Sequence, residues 1–255
     1  MGGVVIGFSG GVDSTLLLKV AFDVLGTRAV GVIAVSPVYP QYEIQNALQF
    51  GKKIGVQIRA LSINHLADRD FIANPENRCF FCKCLLYQKM QNIADEEELP
   101  YIADGTNRDD ERDYRPGHKA QTLFTVRTPL REANLSKDEI RMLSQQLGLS
   151  TFDKPSYACL ASRIPYGSSI TQEKLAMIAK AEEFLQECGF KTVRIRYYET
   201  LARIEVGRNE FPFIFNDAMR EKIIKALKEI GFIYITVDLE GFRSGSMNEV
   251  LRNRK

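Results

Sequence analysis

Ser9-Gly10-Gly11-Val12-Asp13-Ser14 lies between an apolar run, Val4-Val5-Ile6-Gly7-Phe8, and an apolar-periodic segment that begins at Thr15. An apolar run, a glycine-rich turn and a helical pattern in direct succession mark a strand-to-helix junction of an α/β sheet. Gly10 and Gly11 lack a Cβ, so the turn accepts positive φ and its backbone N–H groups can converge on an anion. Ser9 and Ser14 add hydroxyls, and the helix carrying Leu16, Leu17, Leu18 and Val20 aims the positive end of its dipole at the same point. A phosphate-binding loop follows.

The same six residues exclude two commoner nucleotide loops. A Walker loop needs Lys beside Ser or Thr after its second glycine, and a dinucleotide fingerprint needs a third glycine three residues on. Neither is present. The segment instead resembles the SGGxDS loop of the PP-loop ATP pyrophosphatases. That resemblance implies cleavage of ATP between its α and β phosphates, with the departing pyrophosphate held by Ser9, Gly10, Gly11, Asp13 and Ser14. An ordinary glycine-rich turn is the alternative.

The first half alternates apolar runs with helical patterns, as a doubly wound parallel sheet does. Strands are expected at residues 4–8, 29–35, 56–61 and 101–103, with helices at 15–25, from Pro40 to Ile54, and at about 82–97. Ligands of open sheets sit beyond the carboxyl ends of the strands, where Ser9, Ser36 and Asp104 emerge, and Gly105 and Thr106 follow as further ATP contacts. Asp109, Asp110, Asp113 and Arg115 lie in the polar loop beyond. Its carboxylates suit either a metal ion accompanying ATP or solvent.

Ser136-Lys137-Asp138-Glu139 is a capping box. The Pro-containing loop 154–167 precedes a helix capped by Thr171 that runs to Gly189, and strands at 192–197, 202–206 and 234–239 bracket a helix at about 217–230. The boundary between Pro155 and Thr171 gives a nucleotide domain, 1–160, and a smaller α+β domain, 161–255.

A chain of 255 residues can bury both cores. The net charge of +2 is a poor footprint for a tRNA-binding enzyme, so no nucleic-acid partner is expected. No apolar stretch approaches a membrane span and the N-terminus enters the first strand directly, so a cytoplasmic protein is expected.

Five cysteines, an odd number, argue against a disulfide framework and for a metal or redox role. Cys79-Phe80-Phe81-Cys82-Lys83-Cys84 follows an irregular segment, 74–78, and two thiolates three positions apart can hold one tetrahedral metal or two corners of an iron–sulfur cluster. Cys159 is the available partner. Cys84 is expected to pack against the core or to act as an extra ligand, and Cys188 to be buried. Zinc on Cys79, Cys82, Cys84 and Cys159 is the alternative to a three-cysteine cluster with an open iron site. His65 and His118 read as surface or loop residues.

On a strand Arg194 and Arg196 share one face, which suits recognition of phosphate or carboxylate or is simply solvated. Arg163 and Arg243 are candidates for the same anion site.

SGGVDSTLLLK, NRCFFCK, DYRPG, SRIPYG, VRIRYYETLARIE and GFRSGSMN together resemble the LarE family, ATP-dependent sulfur transferases that help build the nickel-pincer nucleotide cofactor of lactate racemase. The resemblance implies ATP with Mg²⁺, adenylation of a carboxylate of a pyridinium dicarboxylate mononucleotide, and displacement of AMP by sulfur to give a thiocarboxylate. It implies that Ser162, Arg163, Arg194, Arg196, Arg203 and Glu205 lie near substrate, with Cys159, Arg163, Arg194, Arg196 and Glu205 in catalytic roles. Some members sacrifice the sulfur of one cysteine. Others carry the CxxC pair and hold a 4Fe-4S cluster through three cysteines, here Cys79, Cys82 and Cys159. A homo-oligomer and a sulfur donor for regeneration are implied as well. The rival readings are a tRNA thiolase, an ammonia-using amidotransferase relative, and a non-catalytic nucleotide-binding or electron-transfer module.

Overall fold

Val4, Val5 and Ile6 are all buried, so the first strand, β1 (Val4–Gly7), has protein on both faces. Its side chains alternate between two cores. Val4 and Ile6 pack with Leu16, Leu17 and Leu18 of α1 (Val12–Leu25) and with Ile44 and Ala47 of α2 (Gln41–Ile54). Val5 joins Val30 and Val32 of β2 (Ala29–Val35) and Tyr87, Met90 and Ile93 of the helix Arg78–Glu96. A strand covered on both faces must read as an unbroken apolar run, which is how a buried parallel strand appears in sequence. Each such side chain contributes about 1.5–3 kcal/mol on burial.

This computed structural model describes residues 2–112, 116–155 and 158–252. It divides into two compact units, Met1–Phe71 with Pro75–Ala158, and Ile72–Asn74 with Cys159–Lys255. The motif residues Asp113 and Arg115 lie outside the described residues.

The first unit holds a four-stranded sheet in the order β3-β2-β1-β4, with β3 at Ile58–Ser62 and β4 at Ile102–Ala103. Every pairing is parallel. The chain steps from β1 outward to β3 and then returns to the other side of β1 for β4. The order therefore reverses between β1 and β4, where such sheets bind ligands. The segments leaving these two strands carry Ser9–Ser14, which runs into the first turn of α1, and Asp104–Asn107.

Two helices begin earlier than their apolar periodicity indicates. Gly11 is the N-cap of α1, so Val12, Asp13 and Ser14 form its first turn rather than a loop before it. Asn77 is the N-cap of Arg78–Glu96, so the helix starts four residues before the expected Cys82 and takes in Cys79 as well. Both starts are set by the backbone at Gly11 and Asn77, ahead of the clearest stretch of apolar periodicity.

In the second unit β5 (Val193–Tyr198) pairs antiparallel with β6 (Leu201–Val206), which pairs parallel with β7 (Tyr234–Val237). The helix Gln172–Glu187, capped by the Thr171 hydroxyl, supplies buried Leu175, Ile178, Ala181 and Leu185. Ile72–Asn74, far away in sequence, belongs to this unit. Buried Asn74 donates from Nδ2 to the carbonyls of Ile164, Pro165 and Ser168, and its own carbonyl accepts from Gly167 N. No helix among the described residues is long and apolar enough to cross a membrane.

Candidate active site

The loop after β1 turns on a glycine in the left-handed region. Gly10 has φ +71°, and a Cβ there would lie 3.0 Å from Ala47 Cβ, so both torsion and space demand glycine. Ser9 N and Ser9 Oγ lie 3.2 and 3.1 Å from Ser14 Oγ, which donates in turn to the Gly11 carbonyl at 3.2 Å. Gly11 gives α1 no side-chain cap, so the first-turn N–H groups face the loop. Asp13 accepts from Asn107 Nδ2 at 2.9 Å and from Lys137 Nζ, while Lys154 Nζ reaches the Gly10 carbonyl at 3.1 Å and Glu43. Two lysines thus stand at the loop, Lys137 on Asp13 and Lys154 on the Gly10 carbonyl.

The loop after β4 closes on the same point. Gly105 approaches the first turn of α1 so tightly that a Cβ would lie 2.9 Å from Ser14 N. Thr106 N donates to Asp104 Oδ1 at 3.1 Å, and Gln121 Nε2 donates to Thr106 Oγ1 and to both Asp104 oxygens. Asp104 also accepts from Tyr87 and, at 2.9 Å, from Lys83. Asp109 and Asp110 accept from the backbone N–H groups of Lys137 and Asn107, so each has a loop-shaping bond.

Burial opposes the Asp104 charge, but the Lys83 ammonium and the hydrogen bonds from Tyr87, Lys83 and Gln121 hold its carboxyl below the ordinary aspartate range. A folded value below the unfolded one gives stability that is present above about pH 4 and lost as pH falls toward the folded value. The stability advantage of wild type over Asp104→Asn, followed by thermal unfolding, is therefore expected to shrink as pH falls below 4. A gap independent of pH would contradict this account.

Cys79 and Cys82 are one helical turn apart on the helix Arg78–Glu96, with Cys79 exposed and Cys82 half-buried. Cys84 points elsewhere around the helix and packs against the core with Phe80 and Leu86, which favours the packing role over a ligand role. Cys188 is half-buried at its helix terminus rather than buried, because the helix ends there.

His65, expected as a surface or loop residue, sits in the turn after β3 but is completely buried, which corrects the surface alternative. Nδ1 lies 2.8 Å from Ser36 Oγ and Nε2 lies 3.3 Å from Cys82 Sγ. Burial outweighs the Asp68 carboxylate and pushes the imidazole down to about 4, so the ring is neutral at neutral pH. Ser36, expected at the nucleotide, engages the His65 ring through its hydroxyl and is linked to Cys82 only through that ring. The sequence carries no signal for this, since its partners are 29 and 17 residues away.

In the second unit the arginines are buried, which overturns the solvated-face alternative: Arg163 is 0%, Arg194 6% and Arg196 5% exposed. Arg196 grips Glu205 through Nε at 2.9 Å and Nη2 at 2.6 Å, and also reaches the Ser162 carbonyl and Ser246 Oγ. Arg203 joins Glu205 at 3.3 Å. Arg163 pairs in the same two-pronged way with Glu182, at 2.9 and 3.0 Å, while its Nη1 donates to the Cys159 carbonyl and Ser162 Oγ. Arg194 lies over the Phe242 ring. Arg243 is engaged with Asp238, Glu240 and Glu249 instead.

Ser162, Arg163, Arg196, Arg203 and Glu205 are thus one connected network that holds the Cys159 loop by its backbone. Glu182 and Ser246 complete it and were not singled out from sequence. The available signal for Glu182 was an acid on the apolar stripe Ile178, Ala181, Leu185.

Comparisons with known proteins agree with this architecture. Residues 1–74 match the NAD synthase family model. A protein of Synechocystis, slr1717, is 44% identical over 96% of this chain and 92% of its own. The pyridinium-3,5-bisthiocarboxylic acid mononucleotide synthase of Lactiplantibacillus plantarum is 36% identical over 97% of this chain and 90% of its own. The chain belongs to the LarE family. One chain of the glutamine-hydrolyzing GMP synthase of Thermoplasma acidophilum is 29% identical over 73% of this chain and 64% of its own. The match to the NAD synthase family model is confined to residues 1–74, and that to the GMP synthase chain covers 73% of this chain. The similarity to the LarE-family synthase extends through the arginine network of the second unit.

Proposed function

We propose that this enzyme is the ATP-dependent sulfur transferase that converts a pyridinium-3,5-dicarboxylate mononucleotide into its thiocarboxylate for nickel-pincer cofactor synthesis. The observation that carries the reading is near-full-length identity of 36% to a synthase of that product, supported by a tight glycine loop at the switch point of the sheet.

ATP binds with Mg²⁺, its pyrophosphate part on Ser9, Gly10, Gly11, Asp13 and Ser14, with Gly105 and Thr106 beside them. A substrate carboxylate oxygen attacks the α-phosphorus, and the bond to the β-phosphate oxygen breaks. The α1 N-terminus and Lys154 stabilise the leaving pyrophosphate, where negative charge accumulates. The acyl adenylate is electrophilic because AMP leaves readily. A sulfur nucleophile adds to its carbonyl carbon and AMP departs.

We assign Cys79, Cys82 and Cys159 to a 4Fe-4S cluster. The donor set fits in kind: Cys79 and Cys82 present two sulfurs one helical turn apart, and Cys84 turns toward the core. Within either unit, the described residues gather no group of three or more potential ligand side chains. When bound, the cluster supplies the sulfur atom. The buried arginines hold the Cys159 loop in register, and Arg194, Arg196, Arg203, Ser162 and Glu205 are assigned to the substrate end. A homo-oligomer, a sulfur donor for regeneration and a cytoplasmic location complete the reading.

Adenylation is testable without sulfur. Labelled pyrophosphate is expected to exchange into ATP only when the pyridinium dicarboxylate mononucleotide is present. Exchange with tRNA or xanthosine monophosphate in its place would overturn the assignment.

A further inference from the structure

We propose that His65 is a positioning residue for the sulfur of Cys82, orienting it by a hydrogen bond from Nε2 while Ser36 fixes the ring. The inference rests on Cys82 being a cluster ligand. His65 is a fully buried polar side chain that adenylation does not use. Its ring is held on every side: Nδ1 at 2.8 Å from Ser36 Oγ, the Phe71 ring at 5.1 Å, and the Tyr39 ring edge-on at 6.0 Å. Nε2 faces Cys82 Sγ at 3.3 Å, and Tyr39 Oη lies 3.6 Å from the same sulfur.

The donor assignment follows from inventory. A sulfur bound to iron has no proton and can only accept, so the ring nitrogen beside it is the donor. Nε2 therefore donates to Sγ, with Nδ1 against the Ser36 hydroxyl. Outer partners of this kind fix the direction of a metal ligand, and hydrogen bonds to cluster sulfurs set reduction potential. A donor at Sγ draws negative charge from the sulfur, which favours the reduced, more negative cluster. Ser36 stands directly after β2, so the same bridge ties the sulfur-bearing helix to the carboxyl end of the sheet.

The test is anaerobic reconstitution of wild type, His65→Phe, His65→Gln and His65→Asn with ferrous iron and sulfide. Iron content, the electron paramagnetic resonance spectrum after reduction, and midpoint potential are then recorded. Gln places an N–H near the position of Nε2, whereas Asn reaches Ser36 but not Cys82. His65→Phe and His65→Asn are expected to show lower potentials and shifted g values, and His65→Gln to restore both. Should His65→Phe fail to fold by circular dichroism, the Gln and Asn pair decides alone. Loaded variants with unchanged potential and spectrum would overturn the role of His65. Wild type that takes up no iron and sulfide would instead overturn the cluster reading and, with it, this inference.

Discussion

Glu182→Ala is expected to cost the second unit about 3–5 kcal/mol, because it strands a charged guanidinium in the interior. The Arg163 and Glu182 side chains are 0% and 2% exposed, and Glu182 Oε1 also accepts from Ile195 N, tying its helix to β5. Arg163 holds its partner's carboxyl below the ordinary range even against burial. Loss of Glu182 also frees Arg163, whose Nη1 anchors the Cys159 carbonyl and Ser162 Oγ. Denaturant unfolding of Glu182→Ala and of Glu182→Gln, which keeps shape and part of the bonding, checks the claim. A loss under about 1 kcal/mol in the alanine variant, the size of an exposed pair, would contradict it.

Gly105→Ala is expected to reduce kcat/KM for ATP by about 100-fold, the usual scale for ångström-level displacement of reacting groups. The effect is steric. The added Cβ would meet Ser14 N at 2.9 Å and Ser14 Cα at 3.1 Å, backbone atoms of a helix that cannot rotate aside. Either α1 or the loop after β4 must then shift, and both carry residues assigned to ATP. Gly2→Ala, where a Cβ meets nothing within 4 Å, is the control and is expected to behave as wild type. Pyrophosphate release at varied ATP gives the measurement, and equal kcat/KM in both variants would refute the close packing.

The inner strands of the sheet were legible because β1 and most of β2 are buried on both faces. Ala29–Val35 appears in sequence with its true limits, since nothing but apolar residues and glycine occupies it. Helix starts were less legible, as Val12 and Arg78 show, because caps are set by backbone conformation before apolar periodicity begins. The pairing of Arg194 and Arg196 on one strand followed from alternation. Whether that face met water did not, because the carboxylates that engage these arginines and Arg163 come from β6 and from the helix Gln172–Glu187. His65 was the least legible residue. Its neighbours Asn64 and Leu66 give no hint of burial, and only the return of β3 beside β2 brings it to Ser36.

The central claim is sulfur transfer to an adenylated carboxylate. Its most direct test is anaerobic turnover of the iron-loaded protein with ATP, Mg²⁺, the pyridinium dicarboxylate mononucleotide and sulfide, with products followed by mass spectrometry. The account predicts thiocarboxylate formed in step with AMP and pyrophosphate. AMP and pyrophosphate released with an amide formed from added ammonia, and no thiocarboxylate, would contradict it and place the chemistry with the amidotransferase relatives.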